Sequence, residues 1–93
     1  MRVRWLDGAV LDLEAVRAYI ARDDPDAAAE VARRIREAVR TLARYPAAGR
    51  VGRVPHTREI VVSGTPYLLP YRIKSNEVEI LRVLHAAQKW PER

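Results

Sequence analysis

The chain has no cysteine, two histidines and only two lysines among its 93 residues. Without cysteine there is no disulfide, no thiolate zinc site and no cysteine nucleophile. Two histidines, His56 and His85, exclude a multi-histidine metal cage. A carboxylate-bound magnesium site is not excluded on that ground, but no clustered acidic pattern points to one, and no metal is expected. Asp7 and Asp12 interrupt the start of the chain where a signal peptide would carry its apolar block, and no apolar run approaches the length of a membrane span. The length suits one domain, residues 1–93, with a compact core and a shallow cleft. It leaves little room for a two-lobed enzyme enclosing a large cofactor, so no cofactor is expected. The expectation is a soluble cytoplasmic protein with no membrane association.

What the chain has in excess is arginine. Of 17 basic residues 15 are Arg, against 12 acids, for a formal net charge of +5. Arginine favours planar, forked contacts with carboxylates, phosphates and aromatic faces. A G- and C-rich genome would give the same Arg and Ala bias. With 48% hydrophobic and 31% charged residues the chain reads as globular. The charge is uneven: residues 1–32 carry net −3, residues 33–58 net +7 and residues 59–93 net +1. Such a basic run is either a solvated helix face or a surface for an acidic partner.

Arg2-Val3-Arg4-Trp5-Leu6 alternates polar and apolar, as a strand does. Asp7 then reads as a helix cap, and Ala9, Leu13, Val16 and Ile20 form one helical face ending near Arg22. Asp23-Asp24-Pro25 breaks that helix, with Asp24 as the next N-cap and Pro25 as the first helical residue. Ala28, Val31, Ala32, Ile35, Ala38, Val39 and Leu42 stripe the second helix, opposite Glu30, Arg33, Glu37, Arg40 and Arg44. The tight break predicts an antiparallel helical hairpin. Ala47–Thr57, with Gly49, Gly52 and Pro55, reads as a loop. Three strands follow: Arg58–Ser63, Tyr67–Lys74 and, after a two-residue Ser75-Asn76 turn, Glu77–Leu84. Pro70 cannot donate to a ladder, which predicts a bulge or an edge position there. The order is β-α-α-β-β-β, an α+β fold with an N-terminal helical hairpin on one face of a small, mainly antiparallel sheet.

Leu13-Glu14 to Tyr19-Ile20, Asp24-Pro25 with Ala27-Ala28, Leu42 to Pro46, Gly49-Arg50, Thr57-Arg58-Glu59, Pro66-Tyr67, Tyr71-Arg72, Arg82-Val83-Leu84-His85, Gln88 and Trp90-Pro91 together resemble the ParE branch of the RelE/ParE toxins. These are the toxin halves of bacterial type II toxin–antitoxin systems. The resemblance spans nearly the whole chain in the family's order, and it implies the same β-α-α-β-β-β fold. It further implies a cognate ParD-like or related antitoxin, a toxin–antitoxin hetero-oligomer, and contact with DNA only through the antitoxin. The ParE branch acts on DNA gyrase without catalysis of its own, whereas RelE-like members cleave mRNA on the ribosome.

Cleaving RNA through its 2′-hydroxyl requires activation of that hydroxyl, charge stabilisation at the phosphate and a proton for the leaving oxygen. RelE-like toxins usually place an Arg where this chain has Leu68. They carry alternating basic residues where it reads Glu59-Ile60-Val61-Val62, and a Tyr or Arg cluster where it has Ala86-Ala87. The reading is therefore the gyrase inhibitor that the resemblance to the ParE branch implies, with no catalytic residues; the alternative is a RelE-like ribosome-dependent mRNA endonuclease, for which His85, Arg82, Arg72 and Arg58 remain. Arg72 and Arg82 are expected as cross-strand neighbours whose mutual repulsion calls for an acidic partner. That makes Arg58, Arg72 and Arg82 the candidate antitoxin contacts. His85 reads as a hydrogen-bonded residue at a strand end. Glu59 reads as part of an ion pair holding the preceding loop. Trp90 is either a core plug or a protruding anchor, and the family's C-terminal region is implicated in gyrase inhibition. Lys89, Trp90 and Arg93 are therefore the candidate target contacts.

Overall fold

The computed structural model describes residues 1–91. Its elements are β1 (Arg2–Trp5), α1 (Asp7–Ala21), α2 (Pro25–Arg44), β2 (Arg50–Val51), β3 (Arg58–Val61), β4 (Tyr67–Lys74), β5 (Glu77–Ile80) and β6 (Leu84–His85). At the start of α1 the N-cap position is taken by Leu6, which offers no side-chain hydrogen bond, and Asp7 lies in the first turn. The expected Asp7 cap is thus one residue out. Leu6 is held in the sheet by its N–H on Ile80 O (3.0 Å), and Asp7 acts only through its charge near the positive end of the helix.

The second helix begins as its sequence dictates. Asp24 Oδ1 accepts the Ala27 N–H at 3.0 Å, and Pro25 sits at the first helical position, where a missing N–H costs nothing. The predicted stripes of both helices face the sheet. Ala9, Ile35 and Leu42 are fully buried against Val62, Tyr67, Leu69, Tyr71, Val78 and Ile80, with Leu13, Val16, Ile20, Val31, Ala38 and Val39 packed around them.

The strands run in the order β1-β5-β4-β3-β2, with β6 also on β4. Only β1 and β5 are parallel; the other pairs are antiparallel. Between β4 and β5, Ser75 and Asn76 both take positive φ, 52° and 61°, the signature of a type I′ hairpin turn. That turn sets Lys74 opposite Glu77, Arg72 opposite Glu79 and Tyr71 opposite Ile80.

Pairing then stops and resumes with Leu68 opposite Leu84, so Leu69 and Pro70 oppose Leu81, Arg82 and Val83. This is a bulge. Pro70 O accepts the Leu81 N–H at 2.9 Å. A residue's N–H and C=O point to the same side of a strand, so the donor that Pro70 lacks falls where the ladder is interrupted. The sequence placed an irregularity at Pro70. It did not foresee that the partner strand would absorb it, dividing the expected Glu77–Leu84 strand in two.

Tyr71 fixes the loop after α2 to the sheet. Its hydroxyl donates to Pro46 O at 2.7 Å and accepts the Gly49 N–H at 2.9 Å. Burial pushes this phenol's pKa up, against the pull of the Gly49 N–H and the Arg58 charge. With Gly49 pinned, the chain runs into β2, a two-residue strand on β3 that its sequence, read as loop, did not announce.

Candidate functional site

The face of the sheet away from the helices carries a ladder of charge. Register places Arg2 beside Glu77 and Arg4 beside Glu79 from β1, and Lys74 beside Glu77 and Arg72 beside Glu79 from β4. Glu79 is 5% exposed. It accepts Arg72 Nε at 2.6 Å and lies 3.7 Å from Arg4 Nη1. The Arg72 hydrogen bond, with the Arg72, Arg4 and Lys74 charges, holds the Glu79 carboxyl below the usual carboxylate range against the opposing effect of desolvation.

This corrects the expectation for Arg72 and Arg82. They are not cross-strand neighbours: the hairpin register gives Arg72 to Glu79, and the bulge turns Arg82 toward α1. Arg82 Nε and Nη2 donate to Asp12 at 2.6 and 3.2 Å, and the same carboxylate accepts the Val83 N–H at 2.9 Å. The acid that guanidinium repulsion was expected to demand from a partner is supplied to both arginines within the chain.

Glu59 does hold its loop. At 1% exposure it accepts Arg50 Nη2 at 3.3 Å, Arg53 Nε at 3.3 Å and the Arg53 N–H at 3.1 Å. Its neighbour Arg58 instead donates through Nη1 to Gly49 O at 2.8 Å and Ala47 O at 3.5 Å. On α2, Arg33 is forked between Glu30 and Glu37, and Arg34 joins Glu30 to the Ser63 carbonyl. The Arg33 and Arg34 hydrogen bonds hold Glu30 at about 2.

A pH dependence follows. Glu30 and Glu79 both have folded pKa values below the unfolded value of about 4.3. The unfolded chain therefore binds more protons through the acid range, and stability rises with pH there. The contribution is complete above about pH 5 and is lost progressively as pH falls from about 4 toward 2. Urea midpoints between pH 6 and pH 2.5 should show that decline, and Glu79→Gln should remove part of it while the Glu30 share remains.

One cleft brings two of the candidate arginines together. It encloses about 390 Å³ and is lined by Val51, His56, Thr57, Arg58, Arg72 and Ile73. Arg82 and His85 lie outside it. His85 is exposed; its Nδ1 accepts the Ala87 N–H at 3.1 Å, its own N–H donates to Gln88 Oε1 at 2.9 Å, and its ring meets Tyr67 edge-on at 5.7 Å. Leu68 is buried beside Leu84. Lys89 is exposed and Trp90 half-buried, while Arg93 lies outside the described residues. His56, Val51 and Ile73 escaped the sequence reading. The available signal was Pro55 just before His56, a turn cue ahead of the strand; in the structure His56 takes φ 66°, uncommon for a residue with a side chain. Among the described residues no cluster of acids and histidines could hold a metal ion, and no helix is long and apolar enough to cross a membrane.

A helical hairpin over a mixed sheet is an α+β architecture that this chain shares with a toxin–antitoxin structure of the ParE fold. The chain belongs to the ParE toxin family of type II toxin–antitoxin systems (parDE), whose family model matches residues 3–90. It is similar to the putative toxin Y4kP of Sinorhizobium fredii (strain NBRC 101917 / NGR234), 55% identical over 91 residues, spanning 98% of this chain and 94% of that protein. Toxin RelE2 of Caulobacter vibrioides (strain ATCC 19089 / CIP 103742 / CB 15) is 39% identical over 87 residues, 94% of this chain and 97% of that one. Among solved structures, the chromosomal ParDE TA system from P. aeruginosa superposes with a TM-score of 0.82 at 31% identity, covering 91% of this chain and 95% of that chain.

Proposed function

We propose that this toxin inhibits bacterial DNA gyrase by binding it, without catalysis of its own, and is neutralised by a cognate ParD-like antitoxin in a hetero-oligomer. One observation carries the reading: the arginines that RNA cleavage would need are not gathered beside His85, since Arg58 and Arg72 line a cleft that His85 does not line and Arg82 is turned to Asp12 of α1. Arg72 is on Glu79, Arg82 on Asp12 and Arg58 on the Gly49 carbonyl. His85 spends its Nδ1 lone pair on the backbone N–H of Ala87. A general acid or base without an aligned phosphate clamp has nothing to act on. The C-terminal segment supplies the target contacts in this reading, through Lys89, the half-buried Trp90 and Arg93. Type II pairing of such toxins supports the antitoxin, and the Pseudomonas ParDE structure supports the same partnership.

The test is induction of the toxin alone, following plasmid supercoiling, gyrase-linked DNA breaks and mRNA integrity together. DNA breaks and lost supercoiling with intact mRNA are expected, unchanged in His85→Ala and reduced at least tenfold in potency in Trp90→Ala. Codon-specific mRNA cuts with intact DNA, abolished by His85→Ala, would instead establish a ribosome-dependent endonuclease. The neighbouring reading frame is expected to encode a short protein with an acidic, amphipathic C-terminal half.

A further inference from the structure

We infer that the cleft formed by Val51, His56, Thr57, Arg58, Arg72 and Ile73 is a docking site for an acidic peptide segment of the antitoxin, a carboxylate flanked by aliphatic side chains. This rests on the toxin–antitoxin reading above and locates the contact within it.

Charge comes first. Two guanidinium groups and an imidazole line the cleft and no acid does. Both arginines are only partly used inside the chain. Arg72 bonds Glu79 through Nε, and Arg58 reaches its carbonyls through Nη1. Each retains N–H donors with no protein acceptor among the described residues, and the Arg72 side chain is 39% exposed. Free guanidinium donors beside a cleft suit a planar, bidentate carboxylate.

The apolar flanks select the kind of anion. Val51, the register partner of Arg58, is 80% exposed, and Ile73, next to Arg72 in β4, is 46% exposed. Aliphatic side chains on a partner would cover them. A nucleic-acid strand needs aromatic faces for its bases to stack upon, and His56 is the one ring in the cleft. One carboxylate, Glu79, also stands behind Arg72 and tempers the field that a polyanion would seek.

The site is held in shape before anything binds. The Thr57 hydroxyl donates to Val54 O at 2.6 Å, the Gly52 N–H to Thr57 O at 2.8 Å, and the Thr57 N–H to Val54 O at 3.2 Å. These bonds, with the Glu59 anchors, keep His56 at its positive φ and turn its side chain to the cleft wall. A loop already ordered loses little entropy when a partner docks, so the contact keeps most of its interaction free energy.

The experiment measures binding of the full-length toxin to the antitoxin encoded beside it, by calorimetry, with thermal melts confirming that each variant folds. Arg58→Gln is expected to weaken binding roughly 10- to 100-fold, the loss of a charge-assisted hydrogen bond. Val51→Glu alters only a solvent-facing position and is expected to weaken binding about tenfold by like-charge repulsion. Arg40→Gln, on the exposed side of α2, should stay within about twofold, and raising salt should weaken the wild type more than Arg58→Gln. Wild-type affinity in both Arg58→Gln and Val51→Glu would overturn the site while leaving the antitoxin reading intact. A single-stranded oligonucleotide that displaces the antitoxin and loses its own binding in Arg58→Gln would overturn it in favour of nucleic acid. Failure of the wild-type chain to form any complex would remove the antitoxin reading and this site together.

Discussion

Gly49→Ala is expected to lower stability by about 3 kcal/mol, from overpacking against rigid neighbours. A Cβ at this position would lie 2.7 Å from both Cε1 and the hydroxyl of Tyr71 and 2.8 Å from Glu59 O. Neither neighbour yields cheaply. Glu59 O is strand backbone, and the Tyr71 ring is fully buried with its hydroxyl bonded to Pro46 O and the Gly49 N–H. Moving the ring would leave the buried Gly49 N–H and the half-buried Pro46 carbonyl unpaired, at about 1–3 kcal/mol each if water did not reach them. The obstacle is space, not backbone conformation. A shift in urea midpoint with an unchanged m-value checks the loss. Tyr71→Phe removes the hydroxyl that crowds the new methyl group, so Gly49→Ala should cost less in that background than in the wild type. Full additivity, or a wild-type midpoint for Gly49→Ala alone, would show that the close approach does not constrain the chain.

Much of the fold was legible because several local signals agreed. The stripes from Ala9 to Ile20 and from Ala28 to Leu42 fixed both helix faces, and Asp24-Pro25 fixed where the second began. The Asp7 error arose because a capping side chain and a first-turn acid look alike in sequence. Here tertiary pairing decided between them, through the Leu6 N–H on Ile80 O. β2 was missed because two residues carry no periodicity. Its strand character comes from Glu59 and Tyr71 gathering the loop around them.

The candidate site was less legible, and one part of the shortfall was avoidable. A two-residue turn at Ser75-Asn76 fixes the register of everything beside it. It pairs Lys74 with Glu77 and, two steps out, Arg72 with Glu79, so Arg72's internal partner followed from the turn alone. The Arg82–Asp12 contact did not follow. It spans 70 residues and depends on the bulge opposite Pro70, whose location was readable but whose direction was not. The cleft around His56 was invisible for a related reason. Its members come from the loop, β2, β3 and β4, and only the fold brings them together.

Asp12→Ala is expected to cost about 2–3 kcal/mol and to loosen the chain from Leu81 onward. The Asp12 carboxylate takes three donors from one short segment: Arg82 Nε, Arg82 Nη2 and the Val83 N–H. An exposed ion pair would contribute under about 1 kcal/mol. This one is stronger because the side chains of Arg82 and Asp12 are only 29% and 20% exposed, and because Val83, at 3% exposure, would be left with its N–H away from water. Asp12→Asn separates the two effects. It keeps an acceptor for Val83 while removing the charge, so it should cost about half as much. The bulge takes this segment out of regular pairing, leaving Asp12 as its main polar tie to the helices. Amide exchange at Val83 should therefore accelerate more than exchange in β3, which keeps its ladder to β4. The segment leads directly into His85 and then Lys89 and Trp90. If the C-terminus makes the gyrase contact, Asp12→Ala should weaken gyrase inhibition while antitoxin binding through the Arg58 cleft persists. Equal loss of both activities, tracking the fall in stability, would reduce Asp12 to a residue of the fold alone.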